Sequence, residues 1–96
     1  MPNYVAKRFI LEGEVQGVGC RAQIYDLVES IGHISGFVRN LGDGTVELCA
    51  KGPDWRLNDL ERILRGKMHP PVFIERVLVE EWKDSFSTNG FVIKRS

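Results

Sequence analysis

Hydrophobic and polar positions follow two different periods in the first half of the chain. Over residues 5–15 they alternate imperfectly, with the apolar residues on one parity, which predicts a half-buried strand. Over residues 22–31 the apolar residues recur at helical spacing, which predicts an amphipathic helix that ends at Gly32. Two further strands are predicted at residues 34–41 and 45–50, and the Gly-Asp-Gly turn between them is typical of a β-hairpin.

The second half of the chain shows the same change of period. A second helix is predicted to start at Pro53 and to end at Gly66, because proline is favoured in the first turn of a helix. A long fourth strand of mixed parity, which we expect to carry a bulge, follows at residues 72–82. After a loop at residues 84–90, residues 91–93 are predicted to form a short last strand.

This order of elements, βαββαβ with one short strand added, predicts the fold class. Helices that are apolar along one stripe have to pack on one face of a sheet. We therefore expect an α+β protein, a ferredoxin-like sandwich with an antiparallel sheet, two helices on one face and a short extra C-terminal strand. The fold by itself does not select a function, because it hosts many.

Length and charge restrict the functions that need to be considered. Ninety-six residues are enough for one core, so residues 1–96 are expected to form a single domain. Thirteen basic and thirteen acidic residues cancel, which leaves no general field to attract nucleic acid or an anionic membrane. The sequence shows neither an apolar run of membrane-spanning length nor a signal peptide. We expect a cytoplasmic monomer that binds neither nucleic acid nor membranes.

The most distinctive stretch is residues 13–21, GEVQGVGCR, between the first strand and the first helix. Glycines at such a turn allow several backbone N–H groups to converge, and the helix start adds its dipole. Arg21 adds a fixed charge and a planar set of hydrogen-bond donors. The stretch therefore predicts an anion-binding turn, although an ordinary strand-to-helix turn with an exposed arginine is the alternative.

Two stretches resemble the signatures of one family. Residues 11–21, LEGEVQGVGCR, closely resemble the first signature of the acylphosphatase family. Residues 36–46, GFVRNLGDGTV, with Gly52 beyond them, resemble the second signature without a visible departure. The two signatures stand in the family's order, and the resemblance covers nearly the whole chain. The departure is Cys20, where the family usually has phenylalanine or another large apolar residue.

The resemblance implies hydrolysis of small-molecule acyl phosphates to a carboxylate and inorganic phosphate, without a metal or other cofactor. In this family the glycine loop and its arginine bind the phosphate, which implies that role for residues 13–19 and Arg21. An asparagine on the second strand orients the attacking water, which implies that role for Asn40. The substrate-binding residues implied by the match are Val15, Gln16, Gly17, Val18, Gly19 and Cys20.

Other interpretations remain open. Taken alone, Arg21 could be a solvated arginine at a helix start, and Asn40 could be a turn former. The whole chain could be a catalytically weak acylphosphatase-like domain that binds phosphate or a protein, a hypothesis that Cys20 favours and that Arg21 and Asn40 oppose. It could also be an RNA-binding module, which residues 36–38 suggest and the neutral charge opposes.

The two cysteines are expected to lie on opposite faces of the sheet. Cys20 stands four residues before Ile24 on the apolar stripe of the first helix, so it should point towards the sheet. It could be a small buried hydrophobe, or a thiolate favoured by the helix start and Arg21. Cys49 shares its parity with Glu47 and should lie on the other face, where a disulfide with Cys20 is out of reach.

Four other side chains have simpler expected roles. Gln16 is also a candidate for stabilising the glycine loop with its side chain. Arg39 is expected to face solvent, and Trp55 and Trp82 are expected to be packing residues and not part of a ligand site. Arg39, Trp55 and Trp82 are not needed for the chemistry that the resemblance implies.

Overall fold

The computed structural model describes residues 3–83 and 90–95. The elements in chain order are β1 (Tyr4–Glu14), α1 (Cys20–Ile31), β2 (Ser35–Asn40), β3 (Val46–Pro53), α2 (Asp54–Gly66), β4 (Phe73–Glu81) and β5 (Phe91–Ile93). The predicted order of elements and the α+β, ferredoxin-like fold class are confirmed. The predicted loop over residues 84–90 lies outside the described residues, except for Gly90.

The sheet is mixed, which corrects the expectation of a wholly antiparallel sheet. Its strand order is β4-β1-β3-β2-β5, and all neighbours among β1 to β4 pair antiparallel. By contrast, β5 runs parallel to β2, in a register that joins Gly36 to Phe91 and Val38 to Ile93. The N–H of Lys94 extends this pairing by donating to the carbonyl of Val38 over 2.8 Å. The alternation of residues along a strand is the same in either direction, so it does not predict how β5 is oriented.

The main core lies between the two helices and one face of the sheet. The buried residues of the helices are Cys20, Ile24, Val28, Leu57, Leu60 and Leu64. The strands contribute Phe9, Leu11, Val38, Val46, Leu48 and Ala50, among others. Each large aliphatic side chain buried in this way contributes about 1.5–3 kcal/mol. The helical spacing of apolar residues therefore determines which face of each helix packs, and Cys20 points inwards as predicted.

A bulge in β4 lies beside the point where β1 leads into the glycine loop. Glu12 pairs with Arg76, whereas the next residue, Gly13, pairs with Ile74, so Glu75 is an extra residue in β4. An extra residue of this kind bends a strand and increases its local twist. The expected bulge is thus confirmed, and it lies where the chain leaves the sheet to form the candidate site.

The other face of the sheet carries a second, smaller cluster made by Phe37, Cys49 and Trp82. The rings of Phe37 and Trp82 meet edge to face, with their centroids 5.8 Å apart. Cys49 therefore lies on the face opposite Cys20, and the two are not joined by a disulfide, as predicted. Trp82 packs in this cluster as expected, whereas Trp55 is half exposed and its ring packs against the guanidinium of Arg56.

Among the residues that the structure describes, Glu47 is the charged residue buried on this outer face. The Nε of Arg8 donates to its Oε2 over 2.5 Å, and the Nε of Arg39 donates to its Oε1 over 2.6 Å. Arg39 lies on this face with 39% of its side chain exposed, as expected for a solvent-facing arginine, and it is also ion-paired to Glu47. Burial raises the pKa of Glu47, but the hydrogen bonds from Arg8 and Arg39 outweigh it and hold the pKa below its usual value.

We expect Glu47→Gln to lower the free energy of unfolding near neutral pH by about 1.5–3 kcal/mol, the contribution of a hydrogen bond to a charged group. Because the native pKa of Glu47 is lowered, its stabilisation is complete above the unfolded-state pKa of about 4.3. It is lost as the pH falls through the native pKa. Urea unfolding of both proteins near neutral pH and at about pH 3 measures this change.

The exposed Glu81 offers a matched control, since Glu81→Gln removes the same charge from the same sheet. The stability difference between the parent and Glu47→Gln should shrink towards the difference seen for Glu81→Gln as the solution is acidified. A difference that stays constant with pH would show that Glu47 contributes through its shape and not through its charge.

Candidate active site

The loop between β1 and α1 has the backbone conformation that its glycines allow. Gly17 and Gly19 adopt φ angles of 75° and 80°, in the left-handed region. A Cβ atom at either position would meet no atom within 4 Å. Glycine is therefore required here by the backbone angles and not by a lack of space. These angles turn the chain sharply from the sheet into the first turn of α1.

The first turn of α1 presents an uncompensated positive end. Gly19 precedes the helix, and its carbonyl accepts the first helical hydrogen bond from the N–H of Gln23 over 3.1 Å. Within the described part of the chain, no side chain caps this helix start, and its first turn contains no acidic residue. The first N–H groups of a helix lack partners inside the helix, and its dipole attracts anions. The sequence thus places an anion-attracting helix start next to the glycine loop.

A cleft of about 580 Å³ opens at this helix start. Its lining residues are Val15, Gly17, Gly19, Cys20, Arg21, Ala22, Asn40, Ile93 and Arg95. The structure therefore brings Arg21 and Asn40, the two predicted catalytic residues, to the same cleft, although they belong to different elements. It also brings most of the predicted substrate-binding residues there. Two of those residues, Gln16 and Val18, are not among the lining residues.

Gln16 and Val18 have other contacts. The Nε2 of Gln16 donates to the backbone carbonyls of Leu41 and Thr45, over 2.8 and 2.9 Å. These carbonyls flank the turn between β2 and β3, so the side chain of Gln16 holds the glycine loop against the hairpin. This agrees with the loop-stabilising role, one of the two roles expected for Gln16. Val18 is partly buried and packs against the main core. Because its side chain is used in this way, the backbone is the part of Gln16 that is available to contact a substrate.

Arg21 lies in the first turn of α1 and reaches across to the chain beyond β5. Its Nη1 donates to the backbone carbonyl of Lys94 over 3.5 Å, which is at the long limit of a hydrogen bond. The guanidinium is a rigid fork of five N–H donors that matches the geometry of carboxylate and phosphate groups. The first turn of α1 therefore combines the permanent positive charge of Arg21 with the positive end of the helix dipole.

Asn40 is the last residue of β2, and its side-chain oxygen is unusual. The Oδ1 atom is buried, and it is the one buried side-chain polar atom in residues 3–83 and 90–95 without a hydrogen-bond partner. Leaving a buried acceptor unsatisfied costs about 1–3 kcal/mol. Such an atom in a cleft indicates a place where a water molecule or a ligand donates a hydrogen bond.

Cys20 lines the inner side of the cleft but is only 2% exposed. Burial raises the pKa of its thiol to about 11, and the nearby charge of Arg21 only partly opposes this effect. The thiolate interpretation of Cys20 is therefore wrong, and the thiol behaves as a small buried hydrophobe. The sequence suggested a thiolate because the helix start and Arg21 both stabilise a negative charge, but the cost of desolvation is larger here.

We expect the Cys20 thiol of the folded protein not to react with iodoacetamide at mildly alkaline pH. Its pKa of about 11 leaves little thiolate, and the burial of the side chain blocks access. Cys49, also buried, should be equally protected. Mass spectrometry after alkylation should find no adduct in the native protein and two in urea. Rapid alkylation of Cys20 alone under native conditions would contradict the structure.

Besides Ala22, which directly follows the first signature, sequence reasoning missed two residues of the cleft wall, Ile93 and Arg95. Neither belongs to a signature that the sequence displays. In the sequence, the alternation of β5 indicates only that its residues of odd number share one face. That these residues line the cleft becomes clear only when the partner strand of β5 is known. Because β5 lies next to β2, which ends at Asn40, these two residues line the same cleft as Asn40.

The described residues include His, Cys, Asp and Glu side chains, the types that bind metal ions. No cluster of three or more His, Cys, Asp or Glu side chains in residues 3–83 and 90–95 is placed to hold an ion. His69 has its backbone N–H and carbonyl bound by the side chain of Gln23, at 3.0 and 2.9 Å. Neither of the helices in the described chain has the length and apolar character needed to cross a membrane.

These features define a class of protein: a ferredoxin-like α+β domain with a cationic cleft between a glycine loop and the ends of two parallel strands. A family model described as acylphosphatase matches residues 7–93. The chain belongs to the acylphosphatase family, the enzymes that hydrolyse acyl phosphates. The family and the enzyme class implied by the two signatures are thereby confirmed.

Individual relatives agree with this assignment. An acylphosphatase of Caldivirga maquilingensis is 36% identical over 96 residues, covering 98% of this chain and 98% of the relative. An acylphosphatase of Picrophilus torridus is 31% identical over 86 residues, covering 90% of this chain and 98% of the relative. A solved acylphosphatase structure from Coxiella burnetii is similar with a TM-score of 0.84 at 27% identity, covering 96% and 94% of the two chains.

Proposed function

We propose that the cleft hydrolyses acyl phosphates without a metal ion, using Arg21 and the glycine loop to hold the phosphoryl group and Asn40 to orient water. An acyl phosphate is an activated mixed anhydride whose leaving group is a carboxylate. It therefore needs little help from a general acid. What it needs is neutralisation of the charge on the phosphoryl oxygens and a water molecule held in line with the bond that breaks.

Arg21 and the start of α1 support the first requirement. The guanidinium brings a fixed positive charge and paired donors, and the uncapped first turn of the helix adds its dipole. The left-handed angles at Gly17 and Gly19 turn the loop around the cleft that Arg21 also lines. In the proposed reaction, these groups hold the phosphoryl oxygens as the bond between phosphorus and the carboxylate oxygen lengthens.

Asn40 supports the second requirement, and its buried Oδ1 is the observation that carries the proposal. An amide oxygen accepts a hydrogen bond from water without being a strong base, so it can orient the water without removing its proton. In the proposed step the water oxygen bonds to phosphorus, the bond to the carboxylate oxygen breaks, and the carboxylate leaves with the electron pair. The two protons of the water remain on the inorganic phosphate.

The test is release of inorganic phosphate from benzoyl phosphate by the purified protein, with and without EDTA. We expect turnover that is the same in both conditions. Turnover that is lost with EDTA and restored by a divalent cation would contradict the metal-independent mechanism. A folded protein that binds phosphate but does not release it from benzoyl phosphate would support the alternative of a catalytically weak binding domain.

We also propose a single-domain, monomeric cytoplasmic enzyme that acts on small molecules and does not bind nucleic acid. The balance of thirteen basic and thirteen acidic residues supports the last point, because nucleic-acid binding depends on an excess of positive charge. Two buried cysteines that form no disulfide fit a reducing compartment. Sedimentation velocity at increasing protein concentration tests the monomer.

A further inference from the structure

The cleft contains a second arginine that the proposed reaction does not use. Arg95 lines the cleft together with Ile93. The parallel pairing of β5 with β2 joins Val38 to Ile93, and the hydrogen bond from the N–H of Lys94 to Val38 continues it. Arg95 follows Lys94 directly and lines the same cleft as Asn40, the last residue of β2. The edge strand therefore brings Arg95 to the cleft of the residue proposed to orient water.

The alternation of β5 determines which residues point towards the cleft. Phe91 packs in the main core, with its ring centroid 6.3 Å from that of Tyr25. Lys94 points to the opposite face, where its Nζ lies 3.9 Å from the ring centroid of Phe37. Ile93 and Arg95 therefore share the helix side of the sheet with Phe91. Ile93 is 41% exposed there, so it forms an apolar wall of the cleft instead of joining the core.

Arg95 is also close to Arg21. The carbonyl that accepts the hydrogen bond from Arg21 belongs to the peptide group that joins Lys94 to Arg95. Among the described residues, none of those lining the cleft is acidic, and Arg95 forms no ion pair. Two neighbouring positive charges without a counter-charge favour a ligand that brings more than one negative group.

We propose that Arg95 is a specificity-determining residue that binds a second anionic group, on the acyl part of the substrate. The preferred substrate class is then an acyl phosphate whose acyl chain ends in another negative charge, and Ile93 contacts the carbon chain between the two ends. This inference rests on the proposed function, because it takes Arg21 and the loop as the binding site of the phosphoryl group.

The test compares two substrates with the same number of carbon atoms, succinyl phosphate and butyryl phosphate, which differ by one carboxylate. We expect the parent enzyme to have the higher kcat/KM for succinyl phosphate. Arg95→Gln should lower that value by about tenfold or more, as expected when a hydrogen bond to a charged group is lost. The loss should appear in KM and not in kcat, because the contact is the same in ground and transition states. The kcat/KM of Arg95→Gln for butyryl phosphate should stay within about twofold of the parent value. Butyryl phosphate has no second carboxylate, so it does not use the contact that the substitution removes.

Two further variants separate specificity from other effects. Arg95→Lys should recover part of the preference, because it restores the charge but not the planar pair of donors. Arg76→Gln removes an exposed arginine from β4, at the edge of the sheet opposite β5, and should leave both substrates unaffected. An equal loss for both substrates in Arg95→Gln, or no preference in the parent enzyme, would overturn the assignment. If the parent hydrolyses neither substrate, the proposed function itself fails, and this inference fails with it.

Discussion

Arg21→Ala should weaken the binding of inorganic phosphate and also lower kcat. The guanidinium lies in the first turn of α1, where it meets the phosphoryl group before reaction and again as charge moves onto the leaving oxygen. Losing a donor of this kind lowers turnover by about 10²–10³-fold. Isothermal titration with phosphate and initial rates with benzoyl phosphate measure the two effects separately.

The charge of Arg21 alone should not be sufficient. Arg21→Lys should remain a poor enzyme, because a point charge cannot reproduce two parallel hydrogen bonds. Arg62→Ala, which removes an exposed arginine from α2, is the matched control and should behave as the parent. If Arg21→Ala binds phosphate and turns over as well as the parent, the glycine loop is only a turn, and the binding-domain hypothesis replaces the enzyme.

Asn40→Ala should produce a different pattern. The buried Oδ1 is assigned to the water and not to the phosphoryl group, so its loss should lower kcat by roughly 10²-fold or more. Phosphate should still inhibit competitively, with nearly the same affinity as in the parent. Inhibition constants and kcat from the same assay give both quantities, and thermal unfolding confirms that the variant is folded.

Asn58→Ala is the control for Asn40→Ala, because Asn58 is an exposed asparagine on α2, away from the cleft. It should leave both kcat and the inhibition constant unchanged. If Asn40→Ala abolishes phosphate binding and leaves kcat intact, the roles of Arg21 and Asn40 are misassigned. The contrast between the two variants is more informative than the size of either effect.

The parts of the fold that follow from short-range spacing could be predicted from the sequence. Cys20 and Ile24 are four positions apart on a helix, so their common inward face was predictable and is confirmed. The two signatures likewise carried Arg21 and Asn40, which the structure brings to one cleft. The free energy of desolvating Cys20 was not predictable in the same way, because it depends on everything packed around the thiol.

Features that depend on pairing between strands could not be predicted. The alternation in β3 places Glu47 on the outer face, which usually means exposure. Its burial follows from the register that sets Arg39 directly across from it, and from Arg8 on the neighbouring strand. The same holds for Arg95, whose place in the cleft follows from the parallel direction of β5, a non-local choice that no residue of the short strand encodes.

The contact made by Gln16 has a consequence for how such sequences vary. Its two acceptors are the main-chain carbonyls of Leu41 and Thr45, and every residue type provides a main-chain carbonyl. The link between the glycine loop and the hairpin therefore places no demand on the side chains at positions 41 and 45. A change of Gln16 has no compensating substitution at those two positions, so this contact leaves no pairwise covariation, although it joins the two halves of the site.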